Sequence, residues 1–322
     1  MSRILITGGA GFIGTNLCKR LLNLGNEVAI IDNLITSDGK NLKQFKKNPK
    51  FKFIKHDIIK PWPKTLNSQL STLNSIYHLA CPTGIPNLTK LAEEMLLTCS
   101  IGTRNVLELA KKTRAKVLFT SSSEVYGDPK VFPQTEDYTG NVDPTGVRSP
   151  YEEGKRFSES LITMFVRKYN VDAKIVRVFN TYGPGMADDD SRVIPRFLDQ
   201  ILKNKPLTVE GRGLQTRTFC YVDDLVDGLL LIMEKGKKGE VYNLGSDKEV
   251  KIIDLAKLII DIVGSRPKDD RPLAEKSKIT FVIRPAHDHK SRLPSLKKVK
   301  SLGWKPKVSL EEGLKKTLAL PY

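Results

Sequence analysis

The sequence predicts an α/β fold, in which a doubly wound parallel sheet carries a smaller carboxy-terminal lobe. Short apolar runs alternate with helical patterns through the first half of the chain, and the runs are apolar on both faces, as strands covered on both sides are. After residue 180 the loops lengthen and prolines become more frequent. The length, 322 residues, also exceeds what one compact core usually holds.

The first half contains most of the predicted sheet. Its helix over Leu88–Lys112 is apolar on nearly all sides, which predicts that it is buried between other elements. Strands are predicted at Ile4–Thr7, Val28–Ile31, Phe51–Lys55, Ile76–Ala80, Lys116–Thr120 and Ala173–Phe179, and the other helices at Phe12–Leu24 and Tyr151–Tyr169.

The second half is predicted to place a smaller lobe over the carboxyl edge of the sheet, where ligands bind in such folds. We expect one lobe over residues 1–180 and another over 181–322, with a segment of about 217–250 returning to the first lobe. Ser265–Lys278 reads as a polar loop. Helices are predicted at Val193–Lys203, Val222–Lys235, Ile252–Val263 and Leu310–Thr317, and strands at Leu207–Val209 and Val241–Leu244.

Composition excludes several classes of protein. The formal net charge of +17 comes mostly from lysines spread along the chain, which favours a solvated surface over a nucleic-acid interface. The four cysteines form no Cys-x-x-Cys pair and the four histidines are scattered, so we expect a reduced protein without disulfides or a metal site. His287-Asp288-His289 is interpreted as a polar loop. Met1-Ser2-Arg3 leads directly into a strand and no apolar run could span a membrane, so we expect no membrane association and a cytoplasmic location.

A glycine-rich turn follows the first predicted strand and opens a helix. Gly8, Gly11 and Gly14 provide the tight turn and the close backbone approach that a pyrophosphate on a helix amino terminus needs. Asp32 comes 18 residues after Gly14, at the end of the next strand, where it can accept hydrogen bonds from both ribose hydroxyls. It would repel a 2′-phosphate. The sequence therefore predicts a Rossmann-type domain that binds NAD in preference to NADP.

Two further motifs suggest proton-transfer chemistry. Tyr151 and Lys155 are spaced i and i+4 at a helix start, so the lysine charge could lower the phenol pKa. The strand before that helix leads into Ser121-Ser122-Ser123-Glu124, where a hydroxyl could share a substrate proton with Tyr151. By itself, a tyrosine four residues before a lysine is common by chance, and the serine run fits an ordinary turn at a strand end. In a chain that also contains the glycine-rich turn, both motifs favour a catalytic site. Asp57, which closes another strand, fits either an adenine contact or a plain turn.

These residues resemble the extended short-chain dehydrogenase/reductase family of nucleotide-sugar enzymes over essentially the whole chain. Within that family the motifs are most similar to those of the UDP-glucuronate decarboxylases. The segments that carry the resemblance are Thr7–Gly14, Tyr77-His-Leu-Ala-Cys-Pro82, Ser121–Gly127, Ser123-Glu-Val-Tyr-Gly-Asp-Pro129, Tyr151-Glu-Glu-Gly-Lys-Arg156, Arg177-Val-Phe-Asn-Thr-Tyr-Gly-Pro184, Gln215–Asp224, Leu302-Gly-Trp-Lys-Pro306 and Leu310-Glu-Glu-Gly313.

The resemblance implies a choice among sugar chemistries. Related 4,6-dehydratases have aspartate where this chain has Ser123, and simple 4-epimerases usually lack Glu124. The Ser-Glu pair and Arg292, at the position implicated near the substrate carboxylate, match the decarboxylases, whereas Gly185 stands where they typically have arginine. The implied reaction converts UDP-glucuronate to UDP-xylose through a 4-keto sugar, and a 4-epimerase is the alternative.

The resemblance also implies a homodimer that pairs through Leu88–Lys112 and Tyr151–Tyr169, and a set of site residues. The predicted catalytic residues are Tyr151, Lys155, Ser122, Ser123, Glu124 and Arg292, and the substrate-binding residues are Ser122, Glu124, Tyr151, Asn180, Arg192, Arg217 and Arg292. The predicted NAD-binding residues are Gly8, Gly11, Phe12, Ile13, Gly14, Asp32, Asn33, Thr36, Asp57, Ile58, Leu79, Ala80, Ser100, Tyr151 and Lys155.

Overall fold

The structure is a computed structural model, and it describes residues 1–63, 70, 72–187, 190–264, 278–283 and 291–319. Its strands confirm the predicted positions within a few residues, and it adds short strands in the second half. In chain order they are β1 (Arg3–Thr7), β2 (Glu27–Asp32), β3 (Phe51–Lys55), β4 (Ser75–His78), β5 (Lys116–Ser122), β6 (Ala173–Val178), β7 (Thr181–Tyr182), β8 (Leu207–Glu210), β9 (Thr216–Thr218), β10 (Cys220–Tyr221), β11 (Val241–Leu244), β12 (Glu249–Lys251) and β13 (Ile279–Val282).

Seven strands form one parallel sheet in the order β11-β6-β5-β4-β1-β2-β3. Strand order reverses beside β1, which pairs with β2 on one side and β4 on the other, so Thr7 lies between Ile31 and His78. A crevice opens at such a reversal outside the carboxyl ends of the strands. The fold is therefore the predicted Rossmann-type α/β fold, and its topology directs a ligand toward Thr7.

Helices cover both faces of the sheet. They are α1 (Phe12–Asn23), α2 (Asn87–Lys90), α3 (Ala92–Leu97), α4 (Thr103–Thr113), α5 (Ser149–Tyr169), α6 (Val193–Leu202), α7 (Val222–Lys235), α8 (Ile252–Gly264), α9 (Lys297–Ser301) and α10 (Leu310–Ala319), with 3₁₀ turns at Lys40–Phe45 and Ser123–Tyr126 and a π turn at Thr98–Gly102.

Alternate side chains of each strand enter two separate hydrophobic cores. On β1, Ile6 packs into the core that includes Leu17 of α1 and Leu225 of α7. Its neighbour Leu5 packs into the opposite core, which includes Leu107 of α4. Because successive side chains of a strand point to opposite faces, this arrangement explains why the strand sequences are apolar at nearly every position.

The single helix predicted over Leu88–Lys112 is wrong in two respects. The chain breaks at Leu91, which has a non-helical φ of −126°, and it widens into the π turn before α4. The helix is also not buried on all sides, because Leu96 and Ile101 are 44% and 45% exposed. At the π turn Gly102 packs so closely on Ile58 that an added Cβ would lie 2.8 Å from that side chain, so tertiary packing accompanies the irregular turn.

The segment after residue 217 supplies the last strand of the sheet. β11 pairs in parallel with β6, and Val241 lies opposite Ile175. The boundary between two lobes near residue 180 remains a prediction. The loop predicted at Ser265–Lys278 lies almost entirely outside the described residues, and so does His287-Asp288-His289. Within the described ranges, none of the helices combines the length and the apolar character that a membrane crossing requires.

Candidate active site

The glycine-rich turn between β1 and α1 forms a cradle without side chains. Gly8 has a φ of +70°, and an added Cβ would lie 2.6 Å from the backbone of Ala80. A Cβ on Gly14 would lie 2.6 Å from the carbonyl oxygen of Gly8. The first turn of α1, which begins at Phe12 and Ile13, contains no acidic residue. The bare backbone and the helix amino terminus together fit a pyrophosphate.

Asp32 closes β2 beside this cradle. Its two carboxylate oxygens accept the amide hydrogens of Ala10 at 3.0 Å and Leu34 at 2.9 Å. Burial raises the pKa of Asp32, and these two backbone donors act against that rise. Each carboxylate oxygen can accept a further hydrogen bond, so the geometry fits the predicted ribose contact.

The other predicted cofactor residues stand at neighbouring strand ends or on helices beside them. Asn33 donates to the carboxylate of Asp57 at 2.9 Å, which ties the end of β2 to the residues after β3. Ser100 donates to the carbonyl of Leu96 at 2.6 Å. Of the remaining residues, Ile58 is buried against Gly102, Leu79 and Ala80 follow β4 beneath Gly8, and Thr36 is exposed after β2. Their contacts with NAD remain predictions.

Lys155 is tied to the carboxyl end of β5 from the first turns of α5. Its ammonium donates to the carbonyl oxygen of Thr120 at 2.8 Å and lies 5.9 Å from the centre of the Tyr151 ring. Burial lowers the pKa of Lys155, but the neighbouring Cys81, Tyr151, Cys99 and Glu159 raise it above its usual value. The side chain therefore carries a fixed positive charge beside the Tyr151 phenol.

The pKa of Tyr151 differs from the sequence-based expectation that Lys155 would lower it. Burial raises it, and the charge of Lys155 and a hydrogen bond with Ser122 lower it. Burial dominates, so the phenol pKa lies above its ordinary value instead of below it. The predicted effect of Lys155 thus has the right direction, but the same packing that brings the lysine close also removes the phenol from water.

Glu124 lies in the 3₁₀ turn that follows β5. The Ser122 hydroxyl accepts the amide hydrogen of Glu124 at 3.2 Å, which caps this turn at its amino end. One Glu124 oxygen lies 2.6 Å from Nη1 of Arg292. The other oxygen accepts from Nε of Arg148 at 3.2 Å and also contacts Nη2 of that residue. Two guanidinium groups therefore hold the carboxylate, one at each oxygen.

Arg292 is buried, at 4% exposure, although it comes from the far end of the chain. Gln134 holds the neighbouring backbone in place, because the side chain of Gln134 accepts the amide hydrogen of Leu293 at 2.8 Å. Nη1 of Arg292 also donates to the Ser123 hydroxyl at 3.1 Å, whereas its buried Nη2 has no hydrogen-bond partner in the part of the chain that the structure describes. A buried donor of this kind is costly unless something accepts from it.

Arg148 is the site residue that the sequence analysis missed. It precedes Tyr151 by three residues and also pairs with Glu152 at 3.2 Å. Burial lowers the pKa of Arg148, but the carboxylates of Glu124 and Glu152 raise it above its usual value. The sequence contains 53 lysines and arginines, and nothing near Arg148 distinguishes it from the others. Its contacts with the two glutamates become visible only in the folded structure.

Three further residues were predicted to contact the nucleotide sugar, namely Asn180, Arg192 and Arg217. None of the hydrogen bonds or ion pairs described here joins them to Glu124, Arg148 or Arg292. The carbonyl of Asn180 accepts from the amide of Cys220 at 2.9 Å. Arg192, at the amino end of α6, pairs with Asp190, and Arg217 on β9 donates to the carbonyl of Thr216 at 2.8 Å. They remain predictions. Gly185, the departure from the decarboxylase pattern, has a φ of +89°, a conformation that arginine adopts only with strain.

The family model described as NAD dependent epimerase/dehydratase family matches residues 4–245. The chain therefore belongs to this family. UDP-glucuronic acid decarboxylase 6 of Arabidopsis thaliana is 43% identical over 314 residues, which cover 97% of this chain and 86% of the relative.

Solved structures of the epimerase/dehydratase family share the fold. UDP-glucose 4-epimerase from Thermotoga maritima superposes with a TM-score of 0.86 at 30% identity, covering 98% of this chain and 97% of that one. UDP-glucuronic acid 4-epimerase from Bacillus cereus, in complex with UDP-4-deoxy-4-fluoro-glucuronic acid and NAD, gives a TM-score of 0.86 at 29% identity and covers 98% of both chains. The fold is thus common to several sugar chemistries, and the site residues must separate them.

Proposed function

We propose that the protein uses tightly bound NAD to decarboxylate UDP-glucuronate, giving UDP-xylose and CO₂. The observation that carries the proposal is the buried Arg292, which holds Glu124 with one nitrogen, while a second buried nitrogen has no hydrogen-bond partner among the described residues. The identity with UDP-glucuronic acid decarboxylases over nearly the whole chain supports the same activity.

The residues around Tyr151 perform the first step. The phenolate of Tyr151, which the ammonium of Lys155 stabilises, takes the proton from the 4-hydroxyl of the sugar and becomes the neutral phenol. The hydroxyl of Ser122 shares the hydrogen bond to the same oxygen. The chemistry that bound NAD supplies is reversible hydride exchange with carbon 4, and Gly8–Gly14 and Asp32 would hold the cofactor. The sugar leaves this step as a 4-ketone.

Loss of CO₂ follows from the position of the carboxylate. It is attached to carbon 5, so it is β to the new ketone, and the electrons of the breaking bond flow into the carbonyl. Nη2 of Arg292 can donate to this carboxylate while Nη1 keeps its contacts with Glu124 and Ser123. A guanidinium fixes the plane of a carboxylate, which aligns the breaking bond with the carbonyl.

Glu124 completes the reaction by supplying the proton that carbon 5 gains after CO₂ has left. The substrate brings a second carboxylate beside it, and two adjacent negative charges favour protonation of one of them. Arg148 keeps the Glu124 side chain in place when Arg292 engages the substrate. A protonated Glu124, directly or through water, can then protonate carbon 5. Tyr151 returns its proton to the oxygen on carbon 4 as that carbon is reduced, which gives UDP-xylose.

The second candidate is a UDP-glucuronate 4-epimerase, favoured by the structural similarity to the Bacillus cereus enzyme. Incubation with UDP-glucuronate labelled in its carboxyl carbon separates the two. Labelled CO₂ and UDP-xylose are the expected products. UDP-galacturonate that retains the label would establish the epimerase instead.

Cofactor choice follows from Asp32. Its carboxylate is held at the ribose end of the cradle, where a 2′-phosphate would meet a like charge. We expect NAD to bind at least about tenfold more tightly than NADP, which corresponds to 1.4 kcal/mol. Titration of the cofactor-free protein with both dinucleotides measures the ratio, and equal affinities would contradict this assignment.

We further propose a cytoplasmic homodimer. Leu96, Ile101, Phe157 and Met164 leave large apolar side chains exposed on the segments of α3, the π turn and α5, the same regions through which the resemblance implies pairing. A second copy of the chain would cover them. Light scattering on the purified protein tests the mass in solution.

A further inference from the structure

Two cysteines meet beside the catalytic lysine. The sulfur atoms of Cys81 and Cys99 lie 3.6 Å apart, although the residues are separated by 18 positions and stand on different elements. Cys81 follows the carboxyl end of β4, and Cys99 lies in the π turn before α4. The mechanism above uses neither thiol.

The pair connects the phosphate-binding turn to the catalytic helix. Cys81 is the residue after Ala80, whose backbone touches Gly8, so it has little room to move. Cys99 packs against Gly154, where an added Cβ would lie 3.3 Å from its sulfur, and Lys155 is the next residue of α5. The Ser158 hydroxyl also donates to the carbonyl of Cys99 at 2.7 Å.

The surroundings make Cys99 more reactive than Cys18 and Cys220. A hydrogen bond from Cys81 and the charge of Lys155 lower the pKa of Cys99 against the effect of burial, whereas the same hydrogen bond and burial hold the pKa of Cys81 above its usual value. Burial instead raises the pKa of Cys18 to about 12, and it raises that of Cys220 as well. Since the thiolate is the nucleophile, an oxidant should attack the pair first. Cys81 is partly exposed and Cys99 is buried, so a small oxidant would reach the pair from the side of Cys81.

We propose that Cys81 and Cys99 form a reversible intramolecular disulfide in the presence of a peroxide, and that this bond slows catalysis at Tyr151 and Lys155. The thiolate of the pair attacks one peroxide oxygen, giving a sulfenic acid and releasing hydroxide. The second thiol then attacks the sulfenic sulfur, water leaves, and the disulfide forms. Two thiols are oxidised and one peroxide is reduced to water.

The consequence for catalysis follows from geometry. A disulfide has its sulfur atoms about 2.05 Å apart, so the two must approach by roughly 1.5 Å. Gly8 packs on the backbone of Ala80 without space for a Cβ, and Gly154 is in tight contact with Cys99, so movement of the two cysteines is transmitted to the phosphate-binding turn and to the helix that carries Lys155. Oxidation also removes the two ionisable thiol groups that raise the pKa of Lys155.

The test treats the NAD-loaded protein with hydrogen peroxide and then with dithiothreitol. We expect peptide mapping to find a Cys81–Cys99 crosslink, with turnover at least about tenfold lower until the reductant restores it. Cys99→Ser should keep basal turnover within about twofold and lose the peroxide effect, whereas Cys18→Ser, the matched control, should keep the effect. Absence of the crosslink, a crosslink without loss of turnover, or an unaltered response of Cys99→Ser would each overturn the proposal.

The effect on turnover rests on the proposed function, but the crosslink does not. Peptide mapping needs no substrate, and retention of NAD after desalting reports the state of the phosphate-binding turn. The protein could form the crosslink and retain NAD less well, yet fail to consume UDP-glucuronate. That result would refute the substrate assignment, but it would not contradict the proposal for the thiol pair.

Discussion

Tyr151→Phe should lower turnover of UDP-glucuronate by about 10²-fold or more while leaving the fold and NAD binding intact, as loss of a positioned general base does. The substitution removes only the hydroxyl, and the ring keeps its place beside Lys155. Stopped-flow absorbance at the nicotinamide band would show that the loss lies in the oxidation of carbon 4.

The pH dependence gives this prediction a second readout. Because burial raises the pKa of Tyr151, the deprotonated base becomes more abundant as pH rises, and the oxidation step of the wild type should accelerate on the alkaline side. The Phe variant should lack this rise. Tyr138→Phe, which removes a hydroxyl that accepts from the amide of Lys130, is the matched control and should behave as the wild type. Near-normal turnover of Tyr151→Phe would remove Tyr151 from the mechanism.

Arg292→Ala should lower release of carboxyl-derived CO₂ by about 10²-fold or more, the scale expected when a donor to a charged transition state is lost. The reason is that the variant loses the contacts of Nη1 with Glu124 and Ser123 and also loses Nη2, the donor proposed to bind the substrate carboxylate. Arg292→Lys should recover part of the rate, since an ammonium keeps the charge but not the planar fork. Trapping of labelled CO₂ measures the outcome.

Controls separate this role from stability. Glu124 keeps its contacts with Arg148 in the variant, so its carboxylate is not left without a cation. Arg196→Ala removes a partly exposed arginine that also pairs with a glutamate, Glu210 at 2.8 Å, and it should leave CO₂ release within about twofold of the wild type. If Arg292→Ala retains NAD and a normal melting temperature but also releases CO₂ at the wild-type rate, the carboxylate-binding role is wrong.

The parts of the site that were predictable lie within short stretches of chain. The turn from Gly8 to Gly14 follows a strand and opens a helix, and the spacing of Tyr151 and Lys155 is a local helical pattern, so both were readable from neighbouring residues. Arg292 was reached only through resemblance, since nothing near it in the chain marks it as buried. Arg148 and the Cys81–Cys99 contact were not reached at all, because each depends on a residue far away in sequence.

The sequence alone determined the alternation of strands and helices, the phosphate-binding turn and the acidic residue that closes β2. These features depend on local periodicity and on backbone conformations that only glycine adopts freely, and such signals are written in consecutive residues. Tertiary structure decided the rest. It divided the segment after Asn87 into shorter helices and a π turn, and it raised the pKa of Tyr151 by burial. It also placed two arginines on one carboxylate, because burial and charge pairing depend on which distant residues the fold brings into contact.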